Sequence, residues 1–239
     1  MLTISALFQD DTLSPMSFAP VLNRMGRVID SIAAFNKRFD RRNWHLAGAS
    51  DRDASLYPAF DNEAPTTAAL AVLKEKFRKS PDQTYVALWD GHEDTSTGVS
   101  MACHVGPTSI PRSFLVEIVD QPELQEVRSI AAIVSRIAQE FSPACIEVAP
   151  LGYSKKQVFD DKPAVGWMLY LPQVLSTRQV PEARALIAVP EKGRKQTGTI
   201  VVSVTDSAFS VDNPQHIEIA NRIEIRLVDQ DLLPRYMDI

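Results

Sequence analysis

Between Phe18 and Phe39 the apolar positions recur three and four apart: Phe18, Val21, Leu22, Met25, Val28, Ile29, Ile32, Phe35 and Phe39. That spacing lines one face of an α-helix. It predicts a long helix that Ser17 can cap, with Pro20 in the tolerant first turn. Arg38, Arg41 and Arg42 fall at or just beyond its C-terminal end, where positive charge suits the helix dipole. A second stripe, Leu124, Val127, Ile130, Ala131, Val134, Ile137, Ala138 and Phe141, predicts a helix starting near Pro122 and ending before Pro143. Between them Pro65 and Thr66 open a shorter helix with Leu70, Leu73 and Phe77 on one face. Lys74, Lys76, Arg78 and Lys79 lie near its end, and Ser80–Pro81 stops it.

Elsewhere the pattern favours strands. "LTISALF", "NWHLAG", "YVALWD", "GVSMACHV", "SFLVEIVD", "CIEVAP", "GWMLYLP", "RALIAVP" and "TIVVSVTD" are short β-branched or aromatic runs bounded by turn residues. "YVALWD" and "GVSMACHV" read as a hairpin with a long acidic loop, and the last two runs read as another strand pair. The polar stretch "ASDRDASLYPAFDNEAP" reads as a structured loop sending Tyr57 and Phe60 into the core. Near the C-terminus "NPQHIEIANRIEIRLVDQDLL" fits both periods. Asn213 as cap, Pro214 at the first helical position and the lack of a hairpin glycine favour a helix. The order of elements predicts an α+β fold of mixed or antiparallel sheets packed with long amphipathic helices. A β-α-β-α-β-β unit would run through residues 1–107 and again through 112–239, within a single functional domain.

Composition narrows the classes. At 239 residues the chain can bury a large core, on a scale of roughly 100–200 residues per domain. Its 30 acidic against 25 basic side chains, a net charge of -5, argue against direct nucleic-acid binding, which needs a basic face. The start of the chain lacks the basic region of a secretory signal, and no apolar run approaches the roughly 18–20 residues of a membrane span. Cys103 and Cys145 lack near-spaced partners and read as buried thiols of a reducing cytoplasm. Only nine glycines leave little material for phosphate-cradling loops, and no Walker, G-x-S-x-G or H-E-x-x-H pattern occurs.

Three constellations could carry chemistry. "ALWDGHEDTSTGVS" holds Asp90, His92, Glu93 and Asp94 close together, with Trp89 at its mouth. A calcium loop would need glycine at the sixth position from Asp90, where Thr95 stands, so a solvated hairpin loop is the better reading. "SDRDAS", with Asp51 and Asp53, fails the same test because Leu56 takes the glycine position. "FDDKP" places Asp160 and Lys162 in a D-x-K spacing that metal-dependent phosphodiester cleavage can use, without a matching upstream carboxylate. His45, His104 and His216 are isolated among apolar residues and read as structural. No metal or cofactor site is expected.

The succession "NWHLAG", "ASLYPAFDNEAPTTAAL", "ALWDG" and "NPQHIEIANRIEIRL" resembles the immunity protein 52 family of bacterial polymorphic toxin systems. Trp44, Leu46, Gly48, Ala54, Tyr57, Pro58, Phe60, Asp61, Trp89, Asp90 and Gly91 carry the resemblance, which reaches from the first strand to about Leu233. It implies a cytoplasmic, non-enzymatic α+β protein, encoded beside a toxin of restriction-endonuclease fold. Members include the antidote of a type VI secretion nuclease effector. The implied partner is a DNA-cleaving toxin, with no catalytic residues and no cofactor to carry over. A nuclease presents a basic surface, so Asp90, Glu93 and Asp94 beside Trp89 and His92, with Asp160 and Asp161 as a second patch, are the expected toxin-facing residues. The alternatives are a metal-dependent hydrolase or nuclease built on Asp160 and Lys162 or on the His92 cluster, and a secretion adaptor or chaperone.

Overall fold

Alternating strands and striped helices account for most of what folds. The computed structural model describes residues 1–48, 56–92, 94, 96–107, 111–190 and 195–239. In chain order the elements begin with β1 (Leu2–Phe8), α1 (Phe18–Ala33), β2 (His45–Leu46), β3 (Phe60–Asp61), β4 (Ala64–Pro65) and α2 (Thr67–Lys76). The chain continues through β5 (Thr84–Trp89), β6 (Gly98–Val105), β7 (Arg112–Val119), α3 (Val127–Phe141) and β8 (Cys145–Pro150). It ends with β9 (Met168–Leu171), β10 (Ala185–Val189), β11 (Gly198–Val202) and α4 (Pro214–Asp229). Two compact units form, one from Gln9–Leu124 and the other from Met1–Phe8 with Gln125–Ile239.

In the unit Gln9–Leu124 four strands run in the order β7-β6-β5-β2, each antiparallel to its neighbour. The expected hairpin forms, with Thr84 opposite Val105 and Trp89 opposite Ser100. Helix α1 buries Phe18, Val21, Leu22, Met25, Val28, Ile29 and Ile32, as its stripe requires. It ends at Ala33, earlier than the stripe suggests, and the chain proceeds through 3-10 turns at Lys37–Phe39 and Arg41–Asn43. The Asn36 side chain accepts from the Arg38 N–H at 3.0 Å, a local bond that competes with helix continuation. Phe39 remains buried, and Trp44 Nε1 donates to its carbonyl at 3.0 Å. Ser17 takes the cap position without capping, its hydroxyl lying 2.7 Å from that of Ser14. Arg41 turns back to Asp30 instead of serving a helix end, with Nε 2.7 Å from Oδ1. The loop leading to α2 contains the β3/β4 hairpin, which turns at Asn62 in the left-handed region (φ 54°). Thr66 then caps α2 by accepting from the Ala69 N–H at 3.0 Å.

In the other unit five strands run in the order β10-β11-β9-β8-β1, again antiparallel between neighbours. The first strand of the chain pairs with a strand of the second half, Leu2 opposite Pro150 through Leu7 opposite Cys145. Leu2, Ile4, Ala6 and Phe8 are buried, and the Phe8 ring sits 5.1 Å from that of Phe141 on α3. Helix α3 begins at Val127, because the residues after Pro122 form a separate short turn, Pro122–Leu124. Helix α4 has the expected start, Asn213 Oδ1 accepting from the Gln215 N–H at 3.0 Å with Pro214 in the first turn. Trp167 is buried, its Nε1 donating to Val204 O at 2.9 Å.

The contrast between striped and exposed helix positions is measurable. Ile29→Ala, at a position with no solvent exposure, is expected to cost about 2–5 kcal/mol. Ile225→Ala, 44% exposed on α4, should stay within about 0.5 kcal/mol of the wild type. Urea unfolding of the two variants tests the difference.

Candidate partner-binding surfaces

The loop after β5 is built by strand alternation. Thr84, Val86 and Leu88 point into the core, and Asp90 continues their row. Its carboxylate is 7% exposed and fully engaged: Oδ2 accepts from Val99 N at 3.0 Å and lies 3.2 Å from Arg38 Nη2, while Oδ1 accepts from His92 N at 3.2 Å. Gly98 lets the carboxylate approach, since a Cβ there would lie 2.8 Å from Asp90 Oδ2. Asp90 therefore ties both ends of the loop together. Arg38, read from sequence as a helix-end charge, is its counter-ion.

His92 and Asp94 are exposed, whereas Glu93 lies outside the described residues. Asp94 Oδ1 accepts from Ser96 N at 3.0 Å, and the hydrogen bonds from Ser96 hold its carboxyl below the usual range. Asp94 N in turn donates to His92 Nδ1 at 3.2 Å. Trp89 is half-buried, 5.9 Å from the His45 ring. On the same unit Leu46, Ala47, Tyr57, Val72, Leu73 and Ala87 line a largely apolar groove of about 460 Å³.

Asp160 and Asp161 are exposed and belong to the other unit. Asp161 lies 3.7 Å from Arg235 Nε, and its carbonyl accepts from Tyr236 N at 3.0 Å. Lys162 donates to Leu233 O at 3.2 Å instead of pairing with Asp160. Among the described residues no three His, Cys, Asp or Glu side chains gather where they could hold a metal ion. Cys103 and Cys145 are buried, and burial pushes both thiols up to about 12. His216 Nδ1 accepts from Ser210 N at 3.0 Å, a structural role.

Two residues that sequence reasoning passed over hold the Asp160 loop in place. Glu224, on α4 and 1% exposed, accepts from Tyr153 Oη at 2.8 Å and Val165 N at 3.1 Å through Oε1, and from Val158 N at 2.7 Å through Oε2. Glu147, on β8, accepts from Tyr236 Oη at 3.0 Å through Oε1 and Ala164 N at 3.1 Å through Oε2. Desolvation by burial raises both carboxyl pKa values, against the opposing pull of these donors. The signal in the sequence is faint: Glu224 sits one step C-terminal to Ile223 on the apolar stripe of α4.

The arrangement is that of an α+β protein, with a charged loop braced between antiparallel strands β5 and β6. Residues 17–235 match the family model Immunity protein 52, and the chain belongs to that family. Membership implies a cognate toxin as the partner. Among solved structures the chain is similar to the Pseudomonas aeruginosa T6SS protein PA0821, with a TM-score of 0.53 and 8% identity over 93% of this chain and 76% of that one. That likeness is one of fold. The comparison with curated proteins finds no match. Among the described residues no helix is long and apolar enough to cross a membrane.

Glu224, buried, and Glu147, half-buried, should respond differently to loss of charge. In Glu147→Gln the amide can accept from Ala164 N and donate to Tyr236 Oη, so stability at neutral pH should match or exceed the wild type. In Glu224→Gln an NH2 must face a backbone N–H, at a cost of about 1–3 kcal/mol. Because both folded-state pKa values lie above the unfolded value, the folded chain binds protons more tightly between the two. The contribution of these groups to stability is thus complete below about pH 4.5 and lost as the pH rises through the raised values. Urea midpoints at several pH values should show Glu147→Gln with a flatter profile than the wild type.

Proposed function

We propose that this chain is an immunity protein that binds and neutralises a cognate nuclease toxin delivered by type VI secretion, acting in the cytoplasm without enzymatic chemistry of its own. The observation that carries the reading is the family match over residues 17–235. The P. aeruginosa protein of similar fold is a T6SS protein, which supports the delivery route. The nuclease target draws its support from charge. A DNA-cleaving enzyme needs a cationic surface for phosphates, and this chain, at a net charge of -5, exposes Asp94 on one unit and Asp160 and Asp161 on the other. Opposed charge raises the association rate and occludes the DNA-binding face without any reaction. His92 and Trp89 flank Asp94, and Glu93 adds a further negative charge to the sequence of the same loop.

Co-expression with the toxin encoded beside this gene should restore growth of a sensitive host. Asp94→Lys, Asp160→Lys and Asp161→Lys combined should raise Kd at least tenfold, about 1.4 kcal/mol, and weaken its dependence on salt. An unchanged Kd for that triple variant, measured by calorimetry, sinks the acidic-surface reading. A neighbouring protein with no toxicity sinks the immunity reading itself.

A further inference from the structure

Where α4 begins, it meets the start of β10 and the end of β11 around a cleft of about 320 Å³, lined by Arg184, Ser203, Thr205, Asp206, Gln215 and His216. Its walls are fixed by main-chain hydrogen bonds. Arg184 N donates to Val202 O at 2.8 Å, Ser203 N to Trp167 O at 3.0 Å and the Ser203 hydroxyl to Gly166 O at 2.7 Å. His216 is 9% exposed, and its two ring nitrogens differ. Nδ1 accepts from Ser210 N at 3.0 Å and serves the fold, so in the neutral ring the proton sits on Nε2. Nε2 has no hydrogen-bond partner among the described residues, and with Nδ1 turned to Ser210 it is the nitrogen left to face the cleft. An N–H largely shut away from water needs an acceptor.

The surrounding charges narrow the ligand. Arg184 is exposed and pairs with no carboxylate among the described residues, Glu182 being taken by Arg226 at 2.7 Å and Glu218 by Arg222 at 2.9 Å. Thr205 and Gln215 add side-chain donors. The N-terminus of α4 adds partial positive charge, although Asn213 takes its first N–H groups. Together these groups call for an oxyanion. Asp206 restricts which one: its carboxylate lines the same cleft, pairs with no cation among the described residues and repels a fully ionised oxyanion. It suits an oxyanion that still carries a proton, whose O–H it accepts. Inorganic phosphate keeps at least one O–H near neutral pH and sulfate keeps none, while a phosphate monoester loses its last at about pH 6. We propose that this cleft binds inorganic phosphate, held by Arg184 and the His216 Nε2–H, with Asp206 selecting the protonated ion. The site does not depend on the immunity reading.

Calorimetry on the full chain at about pH 8, where a monoester is fully ionised, tests this with inorganic phosphate, sulfate and adenosine 5′-monophosphate. Phosphate should bind roughly tenfold more tightly than either of the others. Arg184→Gln should weaken phosphate binding by roughly tenfold or more. Asp206→Asn should remove the preference, bringing sulfate and the monoester within about threefold of phosphate. Both positions are exposed, so the variants keep the fold. Phosphate should also move the His216 Nε2 resonance in an NMR correlation spectrum of the imidazole nitrogens. A wild type that binds no phosphate, that binds sulfate equally well, or whose affinity survives Arg184→Gln unchanged overturns the site. A His216 resonance that stays in place while phosphate binds overturns its assignment to this cleft.

Discussion

A strand residue can point to only one of two faces, and in Thr84–Asp90 that constraint decides what the surface offers a partner. The inward row Thr84, Val86, Leu88 and Asp90 is buried against the core, so the outward row has to be Tyr85, Ala87 and Trp89. Shifting the register by one residue would bury Trp89 and expose Leu88. Pairing with β6 from Thr84 to Trp89 forbids that slip. The position of the acidic loop, the place of Ala87 in the groove lining and the inward turn of Asp90 all descend from this one alternation.

Buried and half-buried carboxylates then act as fasteners. Asp90 collects backbone N–H groups from both ends of its loop and a guanidinium from Arg38. Glu224 and Glu147 do the same for the residues around Asp160 and Asp161, with tyrosine hydroxyls in place of a cation. Removing a charge from water is costly unless donors replace the lost hydration. Each of these groups has at least two such donors, so the penalty is offset while the loop loses freedom. A loop held in this way can meet a partner with little ordering entropy left to lose.

A binding role suits this division of labour. The sheets hold the loops, the buried carboxylates restrain them and the exposed carboxylates remain available. For a protein whose family implies a cognate toxin as partner, rigidity of the presented surface limits the ordering entropy lost on contact. The thiols and His216, buried or hydrogen-bonded within the fold, serve the interior.

The sequence by itself determined the elements. The stripes of α1 and α3 and the Asn213 cap of α4 depend on residues a few positions apart, the β5/β6 hairpin and the family resemblance on the order of such runs along the chain, and the α+β class follows from them. The alternation that turns Asp90 inward was also legible, because Thr84, Val86, Leu88 and Asp90 stand two apart. Only the tertiary structure decided that β1 pairs with β8, that Arg38 leaves the helix end to meet Asp90, and that Glu147 and Glu224 converge on one loop. Those contacts join residues 17 or more positions apart. Local periodicity says which face a residue occupies, while its partner is set by how the whole chain packs and by which donors then reach a carboxylate shut away from water.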